Sequence, residues 1–147
     1  MDKYIYLLSH KRALEGAFTE SKDIGIFRTF KYAENTKNDY KKLVGFCEYP
    51  NGFIIDKIKV DYCGLIDVSF PTCNDEELFY MVYHVLENVK EDYEIVTFVG
   101  CFSTRQNAEY VVQLLKGKNT FDTGDFGIYD YKFGRLDWSE GFVVGKK

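Results

Sequence analysis

Very little in this sequence advertises chemistry. Its four cysteines, Cys47, Cys63, Cys73 and Cys101, form no Cys-x-x-Cys pair and have no Cys/His spacing suited to zinc. Free thiols are therefore expected, with Cys101 in the core. Only two histidines are present, His10 and His84, and a single tryptophan, Trp138. No glycine-rich loop opens a helix where it could cradle phosphate, since Gly124 and Gly127 stand isolated. No apolar run approaches a membrane span. The start, Met1-Asp2-Lys3-Tyr4-Ile5-Tyr6, lacks a basic stretch followed by an apolar one and a cleavage site. A cytoplasmic protein without membrane association is the expectation. Cations adjoin one another only at Lys11-Arg12, Lys41-Lys42 and Lys146-Lys147. The aromatic strands that hold Tyr4, Tyr6, Phe79 and Tyr83 thus lack the cation clusters that RNA-binding sheets use against phosphate, which argues against a nucleic-acid partner.

What is present in quantity is apolar and aromatic surface, 46% and 18% of 147 residues, enough for a true core. The net charge of −4 tilts the choice of partner toward basic surfaces.

The chain also repeats itself. Ile24-Gly25-Ile26-Phe27-Arg28-Thr29 returns 75 positions later as Val99-Gly100-Cys101-Phe102-Ser103-Thr104, and Ala33-Glu34 returns as Ala108-Glu109. Before each block stands a run rich in β-formers, Lys3 to His10 and Leu78 to Val85, followed by a charged stretch. At the same offset of 75 the two histidines fall on neighbouring rather than equivalent positions, at strand ends. Gly25 and Gly100 would weaken a strand unless it bulges there or something crosses closely, a helix for example. Thr29 and Thr104 sit where helix N-caps belong. In the second copy Ala108, Val111, Val112 and Leu115 form one apolar stripe ended by Gly117; in the first, Ala33, Tyr40, Leu43 and Val44 form an interrupted stripe ended by Gly45. Turns follow at Tyr49-Pro50-Asn51-Gly52 and Asp122-Thr123-Gly124-Asp125, then strands from Phe53 to Val60 and from Phe126 to Phe133. Each copy closes with an acid, an aromatic, a glycine and an apolar run, Asp61-Tyr62-Cys63-Gly64-Leu65-Ile66 and Asp137-Trp138-Ser139-Glu140-Gly141-Phe142-Val143.

The predicted fold is α+β: two β-β-α-β-β repeats, mainly antiparallel sheet with one helix each, residues 1–70 and 78–147, joined by an acidic linker at 71–77. A half of this size buries only about 60% of its unfolded surface, so the two halves are expected to pack as a pseudo-twofold, monomeric dimer, with a true homodimer left open.

The second copy resembles a small bacterial domain of unknown function. The matching residues are Tyr83-His84, Val99-Gly100-Cys101-Phe102-Ser103-Thr104, Ala108-Glu109 and Trp138-Ser139-Glu140-Gly141-Phe142. The first copy keeps His10, Ile24-Gly25-Ile26-Phe27, Pro50-Asn51-Gly52-Phe53 and Ile55-Asp56, but not the closing Trp and Glu. The resemblance implies a bacterial α+β module, brings no reaction with it, and suggests that a site using that ending persists only in the second half.

No residue set points to catalysis, a metal or a cofactor. The acids Asp122, Asp125, Asp130, Asp137 and Glu140 match no calcium loop, and Ser9, Ser103, Cys47 and Cys101 have no evident activating partner. The function expected is a non-catalytic acidic protein-binding module, of the kind an immunity protein or antitoxin supplies against a basic toxin. Trp138, Glu140 and Asp137 are the anchors and Asp122 and Asp125 the rim, although a core tryptophan with surface acids would read the same way. The alternative is a small-molecule-binding domain or enzyme with its site between the repeats.

Overall fold

The computed structural model describes residues 3–14, 18–70, 78–88, 90–121 and 123–143. The linker expected at 71–77, with Cys73, lies outside them, as does Asp122. The fold is α+β. The first copy runs β1 (Tyr4–Ala13), β2 (Thr19–Phe27), α1 (Phe30–Tyr40) and β3 (Phe53–Lys59); the second runs β4 (Leu78–Asn88), β5 (Tyr93–Phe102), α2 (Arg105–Lys116) and β6 (Asp125–Lys132). Two three-stranded antiparallel sheets result, ordered β2-β1-β3 and β5-β4-β6. The charged stretches after the first strands are not connectors but the far ends of β1-β2 and β4-β5 hairpins.

Both helices start on the expected threonines. The Thr29 hydroxyl accepts from the Tyr32 amide at 3.2 Å, and that of Thr104 from the Asn107 amide at 3.1 Å, so one otherwise orphaned donor is satisfied at each N-terminus. In α2 the whole predicted stripe, Ala108, Val111, Val112 and Leu115, is buried. It packs with Val82, Val99, Phe102, Phe121 and Cys63, each large apolar side chain contributing roughly 1.5–3 kcal/mol. In α1 only Ala33 and Tyr40 are buried, and the helix stops at Tyr40, before Leu43, Val44 and Gly45. Gly45, at φ 84°, instead opens a 3-10 turn that drives Phe46 into a core with Leu8, Ile24 and Tyr40.

A β-bulge interrupts each hairpin beside its glycine. The register passes from Leu8↔Gly25 to Ser9↔Asp23, and from Val82↔Gly100 to Tyr83↔Phe98. The expected close approach is also present, made by a closing segment and not by a helix. A Cβ on Gly25 would stand 2.9 Å from Leu136 Cδ2 and 3.2 Å from the Arg135 carbonyl oxygen; on Gly100 it would stand 2.9 Å from the Tyr62 carbonyl oxygen.

The closing segments form no named strand. Val60 and Tyr62 make isolated bridges to Cys101, and residues 133–143 make turns. Two compact units are formed, Tyr4–Ile58 with Lys132–Lys147, and Met1–Lys3 with Lys59–Tyr131. The units therefore do not share the boundaries of the sequence copies, because each includes the other copy's closing segment. In the unit holding β1, the Asp137 amide donates to the Ile24 carbonyl at 2.8 Å and the Phe142 amide to the Val44 carbonyl at 2.9 Å. In the unit holding β4, the Asp61 amide donates to the Cys101 carbonyl at 2.8 Å. Among the described residues no helix is long and apolar enough to cross a membrane.

Candidate functional site

The two histidines are equivalent after all. The second hairpin holds one more residue than the first, so its first strand aligns at an offset of 74, not 75, and His10↔Lys22 answers to His84↔Thr97. Neither histidine sits at a strand end and both are buried. His10 Nε2 donates to the Tyr49 carbonyl at 2.9 Å, and His84 Nε2 to the Thr123 carbonyl at 2.7 Å. A carbonyl oxygen can only accept, so it fixes the proton on Nε2. Each ring lies edge-on to two phenylalanines, Phe46 and Phe53 at 4.9 and 4.8 Å, and Phe121 and Phe126 at 4.8 and 4.9 Å. The pair thus joins the turn before the third strand to the first strand, a structural link repeated in both copies.

The copies part company one step further along the same face. In the second, His84↔Thr97 is followed by Leu86↔Ile95; in the first, His10↔Lys22 is followed by Arg12↔Glu20. Lys22 is the notable member, a lysine with only 6% of its side chain exposed. Its ammonium donates to Glu20 and lies over two rings, 4.0 Å from the centroid of Phe142 and 5.2 Å from that of Trp138. Arg12 bonds the other carboxylate oxygen of Glu20 at 3.1 Å and lies over the Tyr49 and Phe142 rings. The buried cation is therefore held by one carboxylate and two aromatic faces. Burial pushes the Glu20 carboxyl up, but its bonds to Lys22 and Arg12 outweigh that and hold it below its ordinary value. The bond to Glu20 leads in raising the Arg12 guanidinium. Two polar atoms buried here, His10 Nδ1 and Arg12 Nε, have no partner among the described residues.

Over this platform runs the turn that carries the three sequence-predicted anchors. Asp137, Trp138 and Glu140 are all exposed. The turn is tied down through its backbone: Asp137 donates to Ile24 as above, and its carbonyl accepts from the Tyr40 hydroxyl at 2.7 Å. Burial first, and the Asp137 charge second, raise the Tyr40 phenol. Trp138 is not a core residue. It is 43% exposed and held at φ 61°, a left-handed conformation that a bulky side chain rarely adopts. Asp125 is also exposed, but it opens β6 in the other unit, and Asp122 lies outside the described residues. Asp137, Trp138 and Glu140 thus share one turn within one unit.

Sequence reasoning missed Lys22, Glu20, Arg12 and Phe142. The signal was there: residues 10 and 12 on one strand and 20 and 22 on the next share a face once the charged stretch is read as hairpin. Asp61 was missed as well. Held at φ 57°, its carboxylate accepts from the Ser103 amide at 2.9 Å, the Ser103 hydroxyl at 2.6 Å and Asn107 Nδ2 at 3.2 Å. Ser103 is buried, and these bonds fasten the closing segment to the first turn of α2. Among the described residues Cys47, Cys63 and Cys101 take part in no disulfide, and the last two are buried. Among the described residues no group of three or more His, Cys, Asp or Glu is placed to hold a metal ion.

Comparison with protein-family models, with curated proteins and with solved structures found nothing that matches this chain.

Proposed function

We propose that this chain is a non-catalytic, acidic protein-binding module, of the immunity-protein or antitoxin kind, that engages a basic partner through the turn holding Asp137, Trp138 and Glu140. One observation carries the reading. Trp138 is kept partly in solvent at a positive φ that costs of order 1–3 kcal/mol, on a turn whose neighbours are hydrogen-bonded in place. Strain maintained at an exposed aromatic supports a contact role, because tryptophan on a rigid base is a favoured anchor of protein interfaces. Exposed carboxylates on both sides of it would steer a cationic surface toward the indole, in keeping with the net charge of −4.

The test uses the fact that Trp138 is the single tryptophan. Affinity capture from lysate of the source organism, with nuclease present, should return a basic protein at stoichiometric level, and its binding should shift Trp138 fluorescence. Trp138→Ala and Glu140→Ala should each weaken that complex at least about tenfold while the melting temperature stays within a few degrees. Retention of full affinity by both variants, with the fold intact, would refute the site.

A further inference from the structure

Beyond the bulge in the second hairpin, the face opposite His84 carries three cross-strand pairs in line: Tyr83↔Phe98, Val85↔Val96 and Glu87↔Glu94. The Tyr83 and Phe98 rings stand 5.5 Å apart, and Tyr129 of β6 adds its ring 6.1 Å from Tyr83. Much of this strip meets solvent, Phe98 at 41%, Tyr129 at 50% and Val96 at 56% exposure. The same positions in the first copy hold Ser9↔Asp23, Lys11↔Ser21 and Ala13↔Thr19, polar or small pairs. The apolar strip is therefore peculiar to the second copy.

Its end is electrostatically unfavourable. Glu87 and Glu94 face each other directly, both exposed, and like charges opposed across an antiparallel pair destabilise it. Glu91 and Asp92 in the adjoining turn add to the negative field, against Lys90 alone. A sheet face that ends in opposed carboxylates is improved by a cation placed between them.

We propose that this face of β4 and β5 docks an amphipathic helix of a partner protein, with apolar residues on the strip and a lysine or arginine between Glu87 and Glu94. A helix fits a sheet face because its backbone groups are already bonded to one another, whereas an extended segment laid there would leave its own unpaired. The spacing agrees. Alternate residues of a strand stand about 7 Å apart, and four residues of a helix rise about 6 Å. Apolar residues at i and i+4 thus meet the aromatic and valine pairs, and a long cationic side chain at i+7 or i+8 reaches the carboxylates. The surface lies in the unit that lacks Trp138, and the proposal stands without the Trp138 reading.

The test is a selection of phage-displayed helical peptides against the full chain. Enriched peptides should share apolar i and i+4 positions with Lys or Arg at i+7 or i+8. They should bind the Glu87→Gln/Glu94→Gln variant and the Val96→Asp variant at least about tenfold more weakly. The double glutamine variant should also melt at the same temperature as the parent or higher, because a like-charge repulsion is removed; a merely structural role for the carboxylates would lower it. Peptides enriched without the cation, peptides indifferent to these variants, or a lowered melting point in the double variant would overturn the proposal. So would a concentration-dependent dimer in sedimentation that Val96→Asp dissolves, which would assign the face to a second copy of the chain.

Discussion

Exchanging residues between the copies isolates the role of the buried charge. The second copy already holds Ile95 and Thr97 where the first holds Glu20 and Lys22, so Glu20→Ile and Lys22→Thr install side chains that this face accommodates elsewhere in the molecule. Glu20→Ile alone strips the carboxylate from a lysine whose side chain is only 6% exposed. Breaking a fully buried pair costs about 3–5 kcal/mol. Here the carboxylate is 34% exposed, and Phe142 still faces the ammonium, so the loss is discounted to about 2 kcal/mol. For a chain of this length that is a fall of about 6 °C in melting temperature at pH 7. Lys22→Thr alone leaves Glu20 bonded to Arg12 and partly in water, and should cost about 0.5–1 kcal/mol. The double variant should recover part of the loss of Glu20→Ile, because the buried lysine is gone, while Arg12 loses its carboxylate and keeps only the Tyr49 and Phe142 ring faces. Additive effects, with a coupling energy under about 0.5 kcal/mol in the cycle, would refute the view that Glu20 holds Lys22 in place. Acid supplies a second check. The Glu20 carboxyl is held below its ordinary 4.5, so its contribution is complete above that pH and is lost as pH falls through the lower folded value. The stability gap between the parent and Glu20→Gln should therefore be widest at neutral pH and close in acid.

Three further outcomes are expected. Gly100→Ala should destabilise more than Gly25→Ala, by about 2–3 against about 1 kcal/mol in denaturant unfolding, because the new methyl meets the Tyr62 carbonyl at 2.9 Å and the Phe102 ring in one case, and in the other the movable end of Leu136 with the Arg135 carbonyl farther off at 3.2 Å. Asp61→Ala should cost about 2–4 kcal/mol, since Ser103 and Asn107 lose their acceptor and alanine resists φ 57°; Asp61→Asn, which tolerates that angle and keeps one carbonyl oxygen, should cost about half as much by melting temperature. Tyr40→Phe removes the hydroxyl that holds the Asp137 carbonyl, costing about 1 kcal/mol and shifting Trp138 emission to the red as the turn loosens.

Local chemistry alone was enough for much of this fold. The two threonine caps, the stripe of α2, the glycines demanding a bulge and a close approach, and the antiparallel α+β plan all follow from neighbouring residues, because caps, periodicity and backbone sterics act over a few positions. What the sequence could not decide depends on residues far apart in the chain. The equivalence of His10 and His84 turned on one extra residue in a hairpin, visible only once the register was formed. The membership of the compact units turned on which sheet each closing segment packs against, and Asp61 and Asp137 look alike in sequence although one binds Ser103 and Asn107 through its carboxylate and the other is bound through its backbone. The platform beneath Trp138 joins residue 22 to residues 138 and 142, and only the tertiary fold could show that the one tryptophan lies partly in solvent over a buried lysine and outside the core. Local propensity shapes the elements, while burial of charge is decided by what the rest of the chain brings to cover it.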